Sequence, residues 1–443
     1  MSARVQPDLR EQRRRLVEAR MAAQALLEPL PTPEDVVRRL VCVQGQELRQ
    51  VVAAIALRCR GSARDVVEAF DAGRLVRGYP MRGTIFVAHA EQLDRLTALT
   101  RDRQLAAGRR RHAELGIDEG TDELARTVLA ERFSASVDRL LAGDVDGVRA
   151  ATAERIVAAG GCASRRELVD AWQAAGLEPT GGRAYHLLNR LVLRGELCLG
   201  PWIAGGQVYV RSAPWRTANG IRSDAWIIAD ADPGWDGPPG ASAELVEQVL
   251  ATGDRDASIL DWFGGYVRGH GPVSVRDFSW WTKLPLGEVR RAVAPLLPFL
   301  AEWGLDDRGE ALWAWTVAAP ADASHGAEAP PPGSPPASSA ASADPVLLLP
   351  GFDELYLGYP DRGFLIDLEH EPLLSPGGNG VFRPFAVSGG RAVATWATST
   401  ADVRRRAGEA EVRVHEFGRP SSRLRRGIER AARAMPYPEA VAD

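Results

Sequence analysis

Residues 164–212 read SRRELVDAWQAAGLEPTGGRAYHLLNRLVLRGELCLGPWIAGGQVYVRS, and this stretch sets out the plan of the fold. Ser164 followed three residues later by Glu167 is the pattern of a reciprocal helix cap. The helix it opens ends before Gly176. Gly181 and Gly182 precede a second helix, which carries Tyr185, Leu188, Leu191 and Val192 at apolar helical spacing. The run 198–212 then offers two short strands around Gly205-Gly206. The same plan recurs on either side. Ser274-Val275-Arg276-Asp277 opens a helix, 285–296 supplies the next, and 303–315 makes a hairpin around Asp307-Arg308-Gly309. Toward the N-terminus, Thr32-Pro33-Glu34-Asp35 and Ser62-Ala63-Arg64-Asp65 open helices, and RGYPMRGTIFVA (77–88) follows as a hairpin.

Around these units the composition shifts. Residues 318–344 are almost entirely Ala, Pro, Ser and Gly, a mixture that buries too little apolar surface to order itself and so predicts a linker. Beyond it, alternating segments and an Arg-rich final helix predict a small β-rich, barrel-like domain. The expected class is α+β, with tandem winged-helix units (helix-turn-helix plus β-wing) before that domain. The expected boundaries are 1–115 and 146–214 for the first two units, with a helical connector at 116–145. The third unit covers 215–317, the linker 318–344 and the β-rich domain 345–443.

At 443 residues the chain has length for about three cores. With 45% hydrophobic and 25% charged residues it falls in the ordinary globular class. No apolar run reaches membrane-spanning length, and the N-terminal residues lack the apolar stretch of a secretory signal, so a cytoplasmic, nucleoid-associated protein is expected. Cys42, Cys59, Cys162 and Cys198 stand singly, without metal-ligand spacing; neither a metal nor a cofactor is expected. The net charge of −4 does not mark a nucleic-acid binder. The arginines nevertheless cluster at 13–15, 109–111, 165–166, 404–406 and 423–426, and DNA responds to the local field rather than to the net charge. Either a basic groove or solvated helix faces fits those clusters. Lysine occurs once, at Lys283, which restricts any Schiff-base chemistry to that side chain and the terminal amine.

Three further segments are Gln44-Gly45-Gln46, Met81-Arg82-Gly83-Thr84 and the run LLLPGFDELYLGYPDR at 347–362. An α-helix turns residues two apart roughly 200° away from each other. Gln44 and Gln46 therefore serve one site only if the helix breaks between them, and Gly45 permits a tight turn with both amides outward. Taken together, the three segments resemble the winged-helix DNA-binding family that contains the AlkZ-type DNA glycosylases, over most of the chain. The resemblance implies a monofunctional glycosylase acting on duplex DNA that carries alkylated, cationic N7-alkyl purines, and on interstrand crosslinks. A role in self-resistance to a DNA-alkylating natural product is a further implication.

In that family the signature is glutamine, a small or apolar residue, then glutamine; a sister branch ends in aspartate. Carried over, Gln44 and Gln46 hold and activate the hydrolytic water, and Gly45 stands at the small end of the family's range. Arg82 and Thr84 match an arginine-glycine-threonine that opens a wing strand. Arg82 then contacts a phosphate, braces the glutamine loop, or closes a strand-end ion pair. Arg165, Arg166 and Arg183 are DNA-contact candidates in the middle unit. Asp353, Asp361 and Arg362 are expected to hold the β-rich domain against the helical body. A monomer suffices, since one chain carries three units. The rival reading is a non-catalytic winged-helix DNA-binding protein, transcriptional or architectural; a third is a fold that binds a protein partner.

Overall fold

The structure, a computed structural model, describes residues 9–145, 148–203, 206–223, 225–228, 254–315, 346–378, 380–398, 412–418 and 422–433. The expected linker at 318–344 and the arginines at 404–406 lie outside them. The chain forms two compact units, one of residues 1–63 with 227–439, the other of residues 64–226 with the last four.

The first unit opens with α1 (Leu9–Ala23), α2 (Pro33–Leu40), β1 (Cys42–Gln44) and α3 (Leu48–Ala56). Helix α2 begins at Thr32, whose side chain accepts the Asp35 amide while Asp35 accepts the Thr32 amide. Proline follows at the first helical position, where its missing N–H costs nothing.

The second unit runs through α4 (Ala63–Asp71), β2 (Leu75–Met81), β3 (Thr84–His89), α5 (Leu93–Glu114), α6 (Glu119–Leu141), α7 (Ala150–Ala158), β4 (Cys162–Ala163), α8 (Arg165–Ala174), α9 (Arg183–Leu193), β5 (Leu197–Ile203), β6 (Gly206–Arg211) and α10 (Ser212–Ala218). Within it the strand order is β3-β2-β5-β6-β4. Ser164 caps α8 as its spacing predicts, with reciprocal bonds of 3.2 and 2.8 Å to Glu167. Helices α6, α8 and α9 bury Phe133, Trp172, Leu188 and Leu191 in one apolar cluster. Arg190 crosses from α9 to the buried Asp122 of α6, so the polar contact lies inside the same packing.

The first unit resumes with α11 (Arg255–His270), α12 (Val275–Thr282), α13 (Leu286–Val293), β7 (Ala301–Leu305), β8 (Ala311–Ala314), β9 (Leu347–Leu349), α14 (Glu354–Leu357), α15 (Glu371–Leu374), β10 (Phe385–Ser388), β11 (Arg391–Thr398), β12 (Val412–Glu416) and α16 (Ser422–Arg433). Strands β7 and β8 pair as the hairpin read from Asp307-Arg308-Gly309. The C-terminal strands form an antiparallel sheet in the order β12-β11-β10-β9; no pairing among the described residues closes it into a barrel. DELYL at 353–357, read as strand-like, is a capped helical turn instead. Asp353 accepts the Leu355 amide at 2.9 Å, and that local bond overrides the strand preference of the apolar residues around it.

A polar network lies inside this unit. Arg58 is fully buried, and each of its five N–H donors has an acceptor. Nε donates to Gln24 O, Nη1 to Ala54 O and Asp353 Oδ2, and Nη2 to Gln24 Oε1 and Asp353 Oδ1, at 2.8 to 3.1 Å. Gln24 continues to the Tyr359 hydroxyl at 3.1 Å, and Tyr359 donates to the His270 carbonyl at 2.7 Å. Tyr266 donates to Gly358 O at 2.7 Å. Three segments far apart in sequence are thereby fastened at one place.

Asp353→Ala leaves a buried guanidinium without its anion. We expect it to cost about 3–5 kcal/mol, read as an early unfolding transition in denaturant. Arg58→Lys should also destabilise, because an ammonium has three donors where five are used. A second expectation concerns pH. Burial lowers the His270 pKa, and the neighbouring Glu354 opposes that shift. The folded state therefore disfavours a proton that the unfolded chain binds near pH 6.5. Stability from this group is complete above that pH and is lost as the pH falls toward the folded pKa. His270→Gln should flatten the decline in stability below about pH 6.5, with a difference no larger than about 1.4 kcal/mol per pH unit, the limit for one proton.

Candidate active site

The path of the chain into Gln44 is set by helix α11. A Cβ on Gly269 would lie 2.0 Å from the Arg39 carbonyl oxygen, and one on Gly265 would lie 2.6 Å from Val41 Cγ2. Only glycine lets α11 press so closely on the end of α2. There the chain breaks its helix at Val41, which takes φ 65° and ψ −53°. This is a strained conformation for a β-branched residue, and it directs the next residues into β1.

The helix break expected at Gly45 falls earlier, on Val41, while β1 ends at Gln44 and the chain bends at Gln46 and Glu47 before α3. Gly45 is not among the residues of positive φ. The residues after it run as a strand ending at Gln44, and α3 starts at Leu48. The two amides also differ in setting. Gln44 is 7% exposed and its Oε1 has no protein partner, whereas Gln46 is exposed.

Beneath the strand lies a carboxyl group that the sequence reading did not single out. The Gln44 backbone N–H donates to Glu354 Oε1 at 2.8 Å. Glu354 is 1% exposed, and its Oε2 lies 3.6 Å from His270 Nε2, just beyond hydrogen-bond length. Neither His270 nitrogen has a hydrogen-bond partner. The ring stacks on Tyr266, 4.6 Å between centroids, which keeps it in place without polar contacts. Cys42, two residues before Gln44, is held as a thiol: burial raises its pKa well above the usual value, and Glu354 adds to the effect. Nearby, Gln50 accepts the Gly351 amide at 2.8 Å, so α3 and the residues preceding Asp353 are joined as well. Asp361 and Arg362, by contrast, make local contacts, Asp361 with the Gly363 amide and Arg362 with Tyr356 and Glu371.

Arg82, Thr84, Arg165, Arg166 and Arg183 all lie in the second unit. Arg82 and Gly83 form the tip of the β2–β3 hairpin, at φ 60° and 66°, with Met81 paired to Thr84. Positive φ at both central positions is the primed turn that suits strand twist. Arginine takes that backbone at a cost, where asparagine or glycine would not. Gln104 accepts the Gly83 amide at 2.8 Å and Tyr185 donates to the Gly83 carbonyl at 3.3 Å, so α5 and α9 both brace the tip. Thr84 Oγ1 is buried and without a hydrogen-bond partner. Arg183, at the start of α9, donates to Gly116 O at 2.9 Å. Arg165 and Arg166 occupy the first turn of α8 and are exposed; Arg166 lies 3.7 Å from Asp170. The tip and α9 come together through the Tyr185–Gly83 bond.

Among the described residues no helix is long and apolar enough to cross a membrane, and no cluster of His, Cys, Asp and Glu is placed to hold a metal. Comparison with known proteins bears on the glutamine strand directly. The family model described as DNA glycosylase AlkZ-like matches residues 37–436. The structure of the Streptomyces sahachiroi DNA glycosylase AlkZ shares the fold, with a TM-score of 0.63 over 97% of each chain at 20% identity. No curated protein sequence matches the chain. The family match takes in Gln44 at the end of β1 and Gln46 after it, the Arg82 hairpin and the segment that carries Asp353 and Glu354, and the chain belongs to the AlkZ-like family of DNA glycosylases.

Proposed function

We propose that the protein is a monofunctional hydrolase of the N-glycosidic bond of cationic N7-alkyl purines in duplex DNA, with Gln44 and Gln46 as the catalytic pair. The observation that carries this reading is Gln44 Oε1, a buried amide oxygen with no protein partner, on a strand held from behind. An N7-alkyl purine is already a cation. When its C1′–N9 bond breaks, the base takes both electrons and leaves neutral, so no general acid is required. What remains is a sugar of oxocarbenium character and a water that must meet C1′. An amide oxygen accepts a hydrogen bond from that water and turns its negative end toward the developing positive charge. Gln46, exposed beside it, holds the water or sugar from the other side, and the proton lost on attack passes to solvent.

A carboxylate would be the better base for a neutral, poorly leaving purine. A neutral pair thus selects for substrates that bring their own charge. Crosslinked purines alkylated at N7 meet the same condition, and unhooking them would serve a host exposed to a DNA-alkylating natural product. The helix–helix–hairpin repeats act in this reading as winged-helix units that hold the duplex, and one chain suffices. Arg82 at its braced tip, with Thr84, Arg165, Arg166 and Arg183, supplies contacts to the phosphates.

Single-turnover release of N7-methylguanine from a defined duplex tests the pair. The double variant Gln44→Ala, Gln46→Ala should lose about 100-fold or more in rate while duplex affinity stays within a few-fold of wild type. Loss of affinity in parallel with rate would instead make the pair a structural element. For the hairpin, Arg82→Ala should weaken binding equally on damaged and undamaged duplex. It should also lower the slope of log affinity against log salt by about 1, one phosphate contact.

A further inference from the structure

We propose that Glu354 is the positioning residue of the glutamine pair: its Oε1 takes the Gln44 amide proton and fixes the strand from which the Gln44 side chain reaches the sugar. This rests on the reading of Gln44 and Gln46 as catalytic and adds the group that sets their geometry.

The bond spans 310 residues of sequence, so it is a tertiary fastening and not a local turn. A carboxyl oxygen accepts such a bond in either protonation state. At 2.8 Å it is the side-chain bond that reaches β1 from α14. Glu354 itself has little freedom. Its neighbour Asp353 is clamped to Arg58 through two bonds of 2.8 Å. At the other end of the turn, a Cβ on Gly358 would meet the Glu354 carbonyl oxygen at 2.7 Å and His270 Cδ2 at 2.8 Å. The turn that carries Glu354 is thus pressed against the His270 ring.

Its second oxygen is the informative one. Glu354 Oε2 is buried with no hydrogen-bond partner, and the nearest cationic candidate, His270, is itself buried and pushed by desolvation toward the neutral form. A carboxyl group kept only for stability would be saturated, since an unsatisfied buried oxygen weakens the fold. Around it stand Gln44 and Cys42 from β1, His270 and Tyr266 from α11, Arg58 just after α3, and Tyr359. Arg58 is fully committed to other acceptors. The bond to Oε1, directly behind the Gln44 peptide, orients that peptide toward a sugar in front of it.

Full-length Glu354→Leu, Glu354→Asp and Glu354→Gln chains test the assignment by two readouts, hydrogen exchange of the Gln44 amide and single-turnover excision of N7-methylguanine. Leucine removes the acceptor. We expect exchange at Gln44 and the excision rate each to change at least about tenfold, as losing one buried hydrogen bond implies. Duplex affinity and exchange within residues 64–226 should stay as in wild type. Aspartate withdraws the acceptor by about one methylene and should show the same pattern at smaller amplitude, which serves if the leucine chain fails to fold. Glutamine keeps an acceptor, so protection of the Gln44 amide should return and the rate should recover in part. Wild-type exchange and rate in the leucine or aspartate chain overturn the assignment, as does affinity falling in step with rate. If the Gln44→Ala, Gln46→Ala chain itself excises normally, the catalytic reading of the pair fails, while the exchange result still decides whether Glu354 holds the strand.

Discussion

The buried pairing of Arg58 with Asp353 is the constraint on which the first unit depends. A guanidinium taken out of water is tolerable only when every donor finds an acceptor and its charge is matched, and here both conditions hold. The geometry leaves no slack. Five donors in a planar fork fix the C-terminus of α1 through Gln24, the end of α3 through Ala54, and the start of α14 through Asp353. Since Asp353 also caps α14, the position of the next residue, Glu354, follows from the same bonds. The Gln44 amide is then placed by Glu354. A chain of three contacts links a structural ion pair to the backbone of Gln44 in the family's signature.

Close backbone approach serves the same end from the other side. Helix α11 bears glycine where the turn at Arg39–Val41 rests on it, so the strain at Val41 is supported by packing rather than relieved. Stiffness of this kind suits a site built from neutral amides. A carboxylate or imidazole can act through charge from a range of positions, whereas an amide acts through the direction of its dipole and must be aimed. Rotamer freedom at Gln44 would forfeit most of what it offers.

Much of this organisation was legible in the sequence. The caps at Thr32, Ser164 and Ser274, the hairpins at Arg82-Gly83 and Asp307-Gly309, and the family signature at 44–46 are all local patterns, because capping and turn chemistry act within four residues. The helix break expected at Gly45 falls on Val41 for a tertiary reason. Glycine is the usual residue for a change of direction, and only the pressure of α11 moves that change onto Val41. Glu354 escaped notice for a similar reason: beside Asp353 in a short turn it reads as one more acidic residue, and its partner is 310 positions away. The buried His270 likewise has no mark in the sequence to separate it from six others.

The first unit is discontinuous, and this has a consequence for how the protein is made. Residues 64–226 form a contiguous unit that can close as soon as it leaves the ribosome, whereas Arg58 must wait almost 300 residues for its anion. At typical elongation speeds of about 5–20 residues per second, that delay lasts on the order of 15 to 60 seconds. During it, a guanidinium destined for the interior lacks its anion, and Gln44 lacks the carboxyl group that accepts its amide. The first unit is completed only when the turn at 353–358 emerges.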